Sequence, residues 1–175
     1  MSFLKNEQNK SVVIDRETFD NKISELIGKA ESLIPDKKLP DLPFMELASD
    51  VHDWHEHEHL LWEIGEEIRQ YVLVSKKQLN DEQIEEIIGI CKNSCAGRGR
   101  QTFVILLDKC KFNKFANKIV GLLNDDDIDG HIISTLYKMK AYDYADYVKP
   151  FLHHKQLWIR KEAKRYMEKC LQNQV

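Results

Sequence analysis

The feature that most constrains the fold of this 175-residue chain is an internal repeat in its C-terminal half. When the sequence is shifted by 29 residues, nine apolar positions fall on apolar positions, and they form two groups in each copy. The matched pairs are Phe103 with Ile132, Val104 with Ile133, Leu107 with Leu136, Cys110 with Met139, Phe115 with Tyr144, Ala116 with Ala145, Ile119 with Val148, Leu122 with Phe151 and Leu123 with Leu152. Apolar spacings of three and four within each group predict helices. The period therefore predicts antiparallel helix pairs that bury their apolar faces by stacking on one another.

A third, shorter copy follows at a shift of 31 residues, and it aligns Ile128, Ile132, Leu136 and Met139 with Ile159, Ala163, Met167 and Cys170. The second copy opens with the acidic turn Asp125-Asp126-Asp127-Ile128, and the third opens with Trp158-Ile159-Arg160-Lys161-Glu162-Ala163. On these residues, the helix pairs over about residues 98–171 resemble short HEAT repeats of roughly 30 residues. The second copy departs from that pattern, because Asp129 stands where the motif has Arg. The resemblance implies an α-α superhelix whose surface recognises another macromolecule.

Residues 16–97 show no repeat, and we expect an acidic helical cap on the repeats within one all-α domain of residues 1–175, without a sheet. The first helix is predicted over Arg16 to Leu33, with Phe19, Ile23, Leu26, Ile27 and Ala30 buried, and a proline-rich linker, residues 35–43, follows it. From Phe44 a second helix is predicted, and whether it breaks near Glu56 is left open. Its apolar positions are Phe44, Leu47, Val51, Trp54, Leu61, Ile64, Ile68 and Val72. Asn80 and Gln83 predict a capping box that opens a third helix with Ile84, Ile87, Ile88 and Cys91.

The charge of the chain is unevenly distributed along the sequence. The net charge is −3, but residues 1–97 carry 11 Lys and Arg against 20 Asp and Glu, and residues 98–175 carry 15 against 9. The first part is therefore −9 and the second +6, which either orients charged partners or reflects two differently solvated surfaces. The chain starts with polar residues and has no apolar run of about 18, so we expect neither a signal peptide nor a membrane span and predict a cytoplasmic protein.

A histidine-rich segment invites a metal interpretation. His55-Glu56-His57-Glu58-His59 matches the H-E-x-x-H pattern, in which two His hold zinc and the Glu acts as a general base. Zincin helices have uncharged residues between the two ligands, and the ionisable residues His57 and Glu58 at these positions argue against a zinc hydrolase. A non-catalytic metal site is an alternative, with His52, His55 or Glu56, and His59 along one helical stripe. We favour a polar, solvated helix face flanked by core tryptophans, and we predict no metal and no cofactor.

Three further groups have two interpretations each. Cys91 and Cys95 share a possible helical face, and free thiols are favoured over zinc for these and for Cys110 and Cys170. Arg98 and Arg100 either bind an anion at a helix start or lie in a solvated turn. The basic residues Arg160, Lys161, Lys164, Arg165 and Lys169 form either an ordinary amphipathic helix or a nucleic-acid contact.

These observations favour a protein that binds another protein and is not an enzyme, since no nucleotide-binding or hydrolase motif is present. In general type the chain is similar to bacterial immunity proteins, which neutralise toxin domains. We predict that its acidic part covers a basic, nuclease-type toxin domain. The alternatives are a HEAT-like nucleic-acid-binding protein that uses the basic C-terminal half and, less favoured, a metal-dependent enzyme. The predicted partner-binding residues are Asp50, Asp53, Trp54, Glu56, Trp62, Glu63, Glu66, Glu67, Glu82, Glu85 and Glu86.

Overall fold

A computed structural model describes residues 14–45 and 48–172 of the chain, and the side chains of all of these except residues 45 and 48–51. Over these residues the chain forms eight α-helices and one two-stranded antiparallel sheet. The elements are α1 Arg16–Leu33, β1 Phe44–Met45, β2 Ala48–His52, α2 Glu56–Ser75, α3 Asp81–Lys92, α4 Gln101–Leu106, α5 Ala116–Ile119, α6 Asp129–Lys138, α7 Ala145–Val148 and α8 Leu157–Gln172. Short 3-10 helices extend or join several of them, at Ser94–Arg100, Cys110–Phe115, Val120–Asn124, Tyr142–Tyr144 and Lys149–His153. The predicted all-α class is confirmed, whereas the expectation that no sheet is present is wrong for this one short hairpin.

The predicted helix from Phe44 is wrong at its start, because this segment forms the β1–β2 hairpin and α2 begins only at Glu56. Phe44 pairs with His52 across the two strands, and their rings stack with centroids 4.1 Å apart. The Asp53 backbone N–H donates to the Pro43 carbonyl at 2.9 Å and closes the hairpin. Phe44 is 56% exposed, so the apolar spacing that starts there does not mark a buried helical face.

The other two N-terminal helices match their predictions. Helix α1 spans the predicted residues, and the five residues predicted for its apolar face are the ones it buries. Helix α3 begins with the predicted capping box, in which the Asn80 side chain accepts from the Gln83 N–H at 2.9 Å and the Gln83 side chain accepts from the Asn80 N–H at 3.0 Å. Such reciprocal bonds satisfy backbone donors that the first helical turn leaves without partners.

The secondary structure of the C-terminal part repeats at the interval found in the sequence. A shift of 29 residues carries α5, residues 116–119, onto α7, residues 145–148. The same shift carries the 3-10 helix that follows α5, residues 120–124, onto the one that follows α7, residues 149–153. Leu107 and Leu136 are both fully buried, but Cys110 is exposed where its counterpart Met139 is buried. The register of the two copies therefore agrees, with a local difference at that position.

The helices lie in two layers around one continuous apolar core. In the first layer, α2, α4, α6 and α8 are neighbours in that order. The second layer contains α1, α3 and the helical segments that include α5 and α7. Contacts between the two layers include those that α3 and α8 make with helices of the other layer. The core runs from Phe19 in α1 to Cys170 in α8. No helix in the described ranges combines the length and the apolar character needed to cross a bilayer.

The four helices of the first layer point the same way. The N-terminal ends of α2, α4, α6 and α8 line one cavity, and the C-terminal ends of α2, α4 and α6 line another at the opposite end of the layer. Backbone dipoles aligned in this way favour carboxylates at the first end and cations at the second. The acidic turn 125–127 and the cations Lys109 and Lys138 follow that rule. Helix ends therefore account for where these charges lie in the layer. They do not account for the asymmetry between the two parts of the sequence, because all of these residues belong to the net-basic part.

Candidate functional site

A polar cleft, a cavity of about 270 Å³, lies where the N-terminal ends of α2, α4, α6 and α8 converge. Charged and titratable side chains of both signs line it, together with the loop before β1. They are Lys38, Arg98 and Lys155 among the cations, Asp41, Asp53, Glu58, Asp126 and Asp127 among the carboxylates, and His52, His55 and His57 among the imidazoles. Two of the predicted site regions, the histidine-rich segment and the Arg98 turn, meet here.

Glu58 connects two of the elements around the cleft, a role that its sequence pattern did not indicate. Its carboxylate is buried and accepts from the backbone N–H of His55 at 2.8 Å and of Arg98 at 2.6 Å. The first bond caps α2, and the second fixes α2 to the 3-10 helix before α4. Gly97 makes this approach possible, since its φ of +54° is in the left-handed region and a Cβ there would lie 2.1 Å from Glu58 Oε1. The signal in the sequence was the Glu three residues after the cap position, obscured by the unusual cap His55.

The guanidinium groups of Arg98 and Arg100 both donate hydrogen bonds to other groups of the chain. For Arg100, the predicted anion site and the alternative of a solvated turn are therefore both wrong. Its guanidinium is fully buried and donates to the carbonyls of Cys91 and Gly97 at 3.0 and 2.8 Å. It also donates to Asp125 Oδ2 at 2.6 Å, which joins α4 to the turn before α6. Arg98 is half-buried, donates to the Asp53 carbonyl at 2.6 Å and packs on the Trp54 ring.

The histidines do not form the helical stripe that the metal alternative requires. His52 is in β2 and His55 is the cap of α2, so helical spacing does not apply to either of them. Their ring nitrogens lie 2.6 Å from the Leu42 carbonyl and 2.8 Å from the Pro40 carbonyl, which ties the linker to the cleft. His59 faces Trp54, with ring centroids 5.3 Å apart. Across the described residues, no group of three or more His, Cys, Asp or Glu side chains is arranged to hold a metal ion.

A buried carboxylate lies behind the cleft at the start of α6. Asp129 is 2% exposed, and burial raises its pKa to about 6, against the opposing effects of the Gly130 N–H and of His154. The His154 Nε2 atom lies 3.5 Å from Asp129 Oδ2. The neighbouring His131 packs against Trp158, and burial lowers its pKa to about 4, so its ring is neutral at pH 7. In the sequence, Asp129 is distinguished only as a departure from the repeat motif, where it replaces Arg.

The predicted partner-binding residues do not form one patch. Asp53 is exposed beside the cleft, and Trp54 is half-buried beneath Arg98. Asp50 is in β2, and its side chain falls outside the described ones. Trp62 is 41% exposed on α2, so it is not the core residue that the solvated-face interpretation assumed. The remaining acidic residues divide between α2, with Glu56, Glu63, Glu66 and Glu67, and α3, with Glu82, Glu85 and Glu86.

Several of these carboxylates already have cationic partners within the chain. Glu66 accepts three hydrogen bonds from Arg69, and Glu67 lies 3.6 Å from Lys22. Glu85 pairs with Lys118 across the second layer. Internal pairing therefore reduces the negative charge that these three residues offer to a partner.

Glu82 and Glu86 of α3 lie with Glu31 of α1 in a group that we call the acidic face. None of the three is within 4.0 Å of a cationic group among the described residues. Partial burial, and then the negative charges of Glu82 and Glu31, raise the pKa of Glu86 above its ordinary value. Helices α1 and α3 thus place Glu31 and Glu82 where their negative charges act on Glu86, and no ion pair among the described residues offsets them.

The cysteines are free, and they do not share the environment that their spacing suggested. Cys91 is buried in α3, which ends at Lys92, so Cys95 in the following 3-10 helix is not on the same helical face. Burial raises the pKa of Cys91 to about 12. Cys110 is exposed and Cys170 is buried in α8.

The basic C-terminal helix is partly used in packing. Arg160 donates to the carbonyls of His154 and Lys155 at 2.6 and 2.9 Å, and Arg165 lies over the Tyr137 ring, 4.0 Å from its centroid. Lys161 and Lys164 are exposed.

In comparisons with known proteins, the chain matches no family model, no curated protein and no solved structure.

Proposed function

We propose that this chain is a non-catalytic protein-binding module, which uses its acidic N-terminal part to cover a basic domain of another protein. In the specific form of the proposal, it is a cytoplasmic immunity or inhibitor protein, and its partner is a nuclease-type toxin domain. The nucleic-acid-binding alternative is an outcome that the experiment below distinguishes.

The observation that carries the proposal is the acidic face of Glu31, Glu82 and Glu86. A cationic surface docked on it would stabilise the ionised Glu86, which burial and the negative charges of Glu82 and Glu31 disfavour. Electrostatic attraction between such surfaces also accelerates encounter at low salt. Glu86 gives the interaction a pH signature, because a cationic partner favours its ionised form. Its affinity for the partner should therefore fall as the pH is lowered through the raised pKa of Glu86.

A HEAT-like superhelix is the architecture that we propose for this module. The coincidence of α5 with α7 at the 29-residue shift supports it, as does the order of neighbours in the first layer. The buried Arg100 supports it further, because it ties the start of one helix pair to the acidic turn before the next through Asp125. In stacked helical units, exposed residues of successive units form a continuous recognition surface.

The test is capture of the partner from the native host by the full chain, with identification by mass spectrometry and comparison of charge-reversed variants. Glu82→Lys with Glu86→Lys should slow association by about tenfold or more at low salt, and the difference should shrink at 1 M salt, where the Debye length is about 3 Å. These positions are preferable to Glu66 and Glu67, whose reversal would also break internal ion pairs.

Lys161→Glu with Lys164→Glu is the matched control, since both side chains are exposed on α8, and it should leave the association rate unchanged. If the control variant abolishes binding and the acidic-face variant does not, the proposal has the wrong surface. Capture of nuclease-sensitive nucleic acid by the wild type would favour the nucleic-acid alternative.

A further inference from the structure

A second cavity, of about 490 Å³, opens at the opposite end of the first layer, between the C-terminal ends of α2 and α4. We call it the C-terminal groove. Its apolar lining includes Val72, Leu79, Ile105, Leu106 and Phe112. Leu106 and Phe112 are buried, whereas Ile105 is half-buried and accessible from the groove. The volume is within the range of pockets that enclose a few apolar side chains or a small ligand.

The rim of the groove carries more positive than negative charge. Four cations line it, namely Arg69, Lys109, Lys111 and Lys138, and Asp108 is the one carboxylate among the lining residues. Arg69 is already paired with Glu66, so the three lysines carry the excess positive charge. Asp108 pairs with both Lys109 and Lys138 at 2.8 Å. One carboxylate shared between two ammonium groups leaves excess positive charge on this side of the rim.

Lys111 is the least compensated of these cations. Its ammonium donates to two neutral oxygens, Gln78 Oε1 at 2.5 Å and the Leu79 carbonyl at 3.3 Å, and lies 4.4 Å from the centroid of the Phe112 ring. No carboxylate of the described chain comes within 4.0 Å of it. Partial burial, and then the charge of Arg16, lower the pKa of Lys111, against a smaller opposing effect of Asp81, which is paired with Lys114. An incoming carboxylate would therefore find an ammonium group held at the edge of an apolar surface.

The last turn of α2 adds exposed apolar side chains at the edge of the groove. Leu73, which lines the groove, is 57% exposed, and the next residue, Val74, is 73% exposed. Apolar side chains therefore extend from the buried lining of the groove, at Leu106 and Phe112, to the exposed edge at Leu73 and Val74. A small molecule enclosed in the groove would leave this edge uncovered. This extent favours a segment of polypeptide as the occupant.

We propose that the C-terminal groove binds an acidic, apolar segment of a partner protein. An apolar side chain of that segment enters the groove against Ile105 and Phe112, a second packs on Leu73, and a flanking carboxylate pairs with Lys111. This surface has the opposite charge to the acidic face and lies on other helices, so the two contacts are independent of each other.

Two synthetic peptides of equal length test the proposal against the full chain by fluorescence anisotropy. One repeats the unit Asp-Leu-Phe-Asp-Leu, and the other has Lys in place of every Asp. The acidic peptide should bind at least about tenfold more tightly, because opposite charges attract at the rim and like charges repel. Lys111→Glu and Ile105→Gln should each weaken its binding about tenfold or more, whereas Lys111→Arg should retain it.

Lys164→Glu is the matched control, since it makes the same charge change on an exposed helix face away from the groove, and it should change the affinity less than about twofold. Circular dichroism establishes that each variant is folded, and Lys111→Gln replaces Lys111→Glu if the latter is not. Equal binding of the two peptides overturns the proposal, and so does an affinity insensitive to both groove substitutions. Binding of decanoate at the groove without binding of the acidic peptide would also overturn it, in favour of a small-molecule site.

Discussion

Replacement of the buried carboxylate Asp129 by its amide should stabilise the protein at neutral pH. Asp129 is 2% exposed, and its pKa is raised by burial from 3.8 to about 6. The folded protein therefore holds the proton more tightly than the unfolded chain. Its contribution to stability is fully present below pH 3.8 and is lost as the pH rises through about 6.

The magnitude follows from the size of this shift. A difference of about 2 pKa units corresponds to about 3 kcal/mol at pH 7.5, since one unit is worth about 1.4 kcal/mol. An Asn side chain can still accept from the Gly130 N–H, as Asp129 does, and it is never charged. His154, 3.5 Å from Asp129 Oδ2, offsets part of the gain when its imidazole is protonated. We therefore expect Asp129→Asn to raise the free energy of unfolding by about 1–3 kcal/mol at pH 7.5.

Urea unfolding at a series of pH values between 4 and 8 measures this effect. The stabilisation should disappear toward pH 4, and the decrease in wild-type stability between pH 4 and 7 should be smaller in the variant. Asp146→Asn is the matched control, since Asp146 is exposed on α7 and is not among the charges that act on Asp129, and its effect should be within about 0.5 kcal/mol. If Asp129→Asn is less stable than the wild type at pH 7.5, an ion pair with His154 outweighs burial, and the argument is refuted.

Three further expectations concern packing and reactivity. Gly99→Ala should lower the free energy of unfolding in urea by about 2 kcal/mol or more, because the added Cβ would lie 2.4 Å from the Glu58 carbonyl oxygen. Gly89→Ala, whose added Cβ has nothing within 4 Å, should instead stabilise α3 by about 0.5–1 kcal/mol. Equal effects of the two substitutions would contradict the close packing of Gly99 against α2. Arg100→Met should lower the unfolding free energy by about 3 kcal/mol, because it removes the buried partner of Asp125, and an unchanged midpoint in urea would show that this pair is not structural. Iodoacetamide, followed by mass spectrometry, should modify exposed Cys110 in the folded protein and buried Cys91, with its pKa of about 12, only after unfolding; early modification of Cys91 would contradict its burial.

Local sequence signals were sufficient where one helix face or one cap determines the structure. The apolar face of α1 and the capping box of α3 follow from residues three or four positions apart, through helical periodicity and the geometry of the first turn. The register of α5 with α7 follows from the same local pattern repeated 29 residues later. The same reasoning was wrong from Phe44 to His52, where apolar residues at helical spacing form a hairpin. Cross-strand pairing of residues eight positions apart, and not a buried helix face, determines that segment.

The chemistry of the charged residues was decided only by tertiary structure. The sequence by itself determined an all-α chain with a repeating C-terminal part and an acidic N-terminal part. It did not show that Arg100 is buried against Asp125, that Glu58 joins α2 to the Arg98 turn, or that Glu85 is paired with Lys118 while Glu82 and Glu86 are not. These contacts join residues 25 to 40 positions apart or lie on neighbouring helices. Helix periodicity specifies which face of each helix is buried, but the charge that remains for a partner depends on which helices become neighbours.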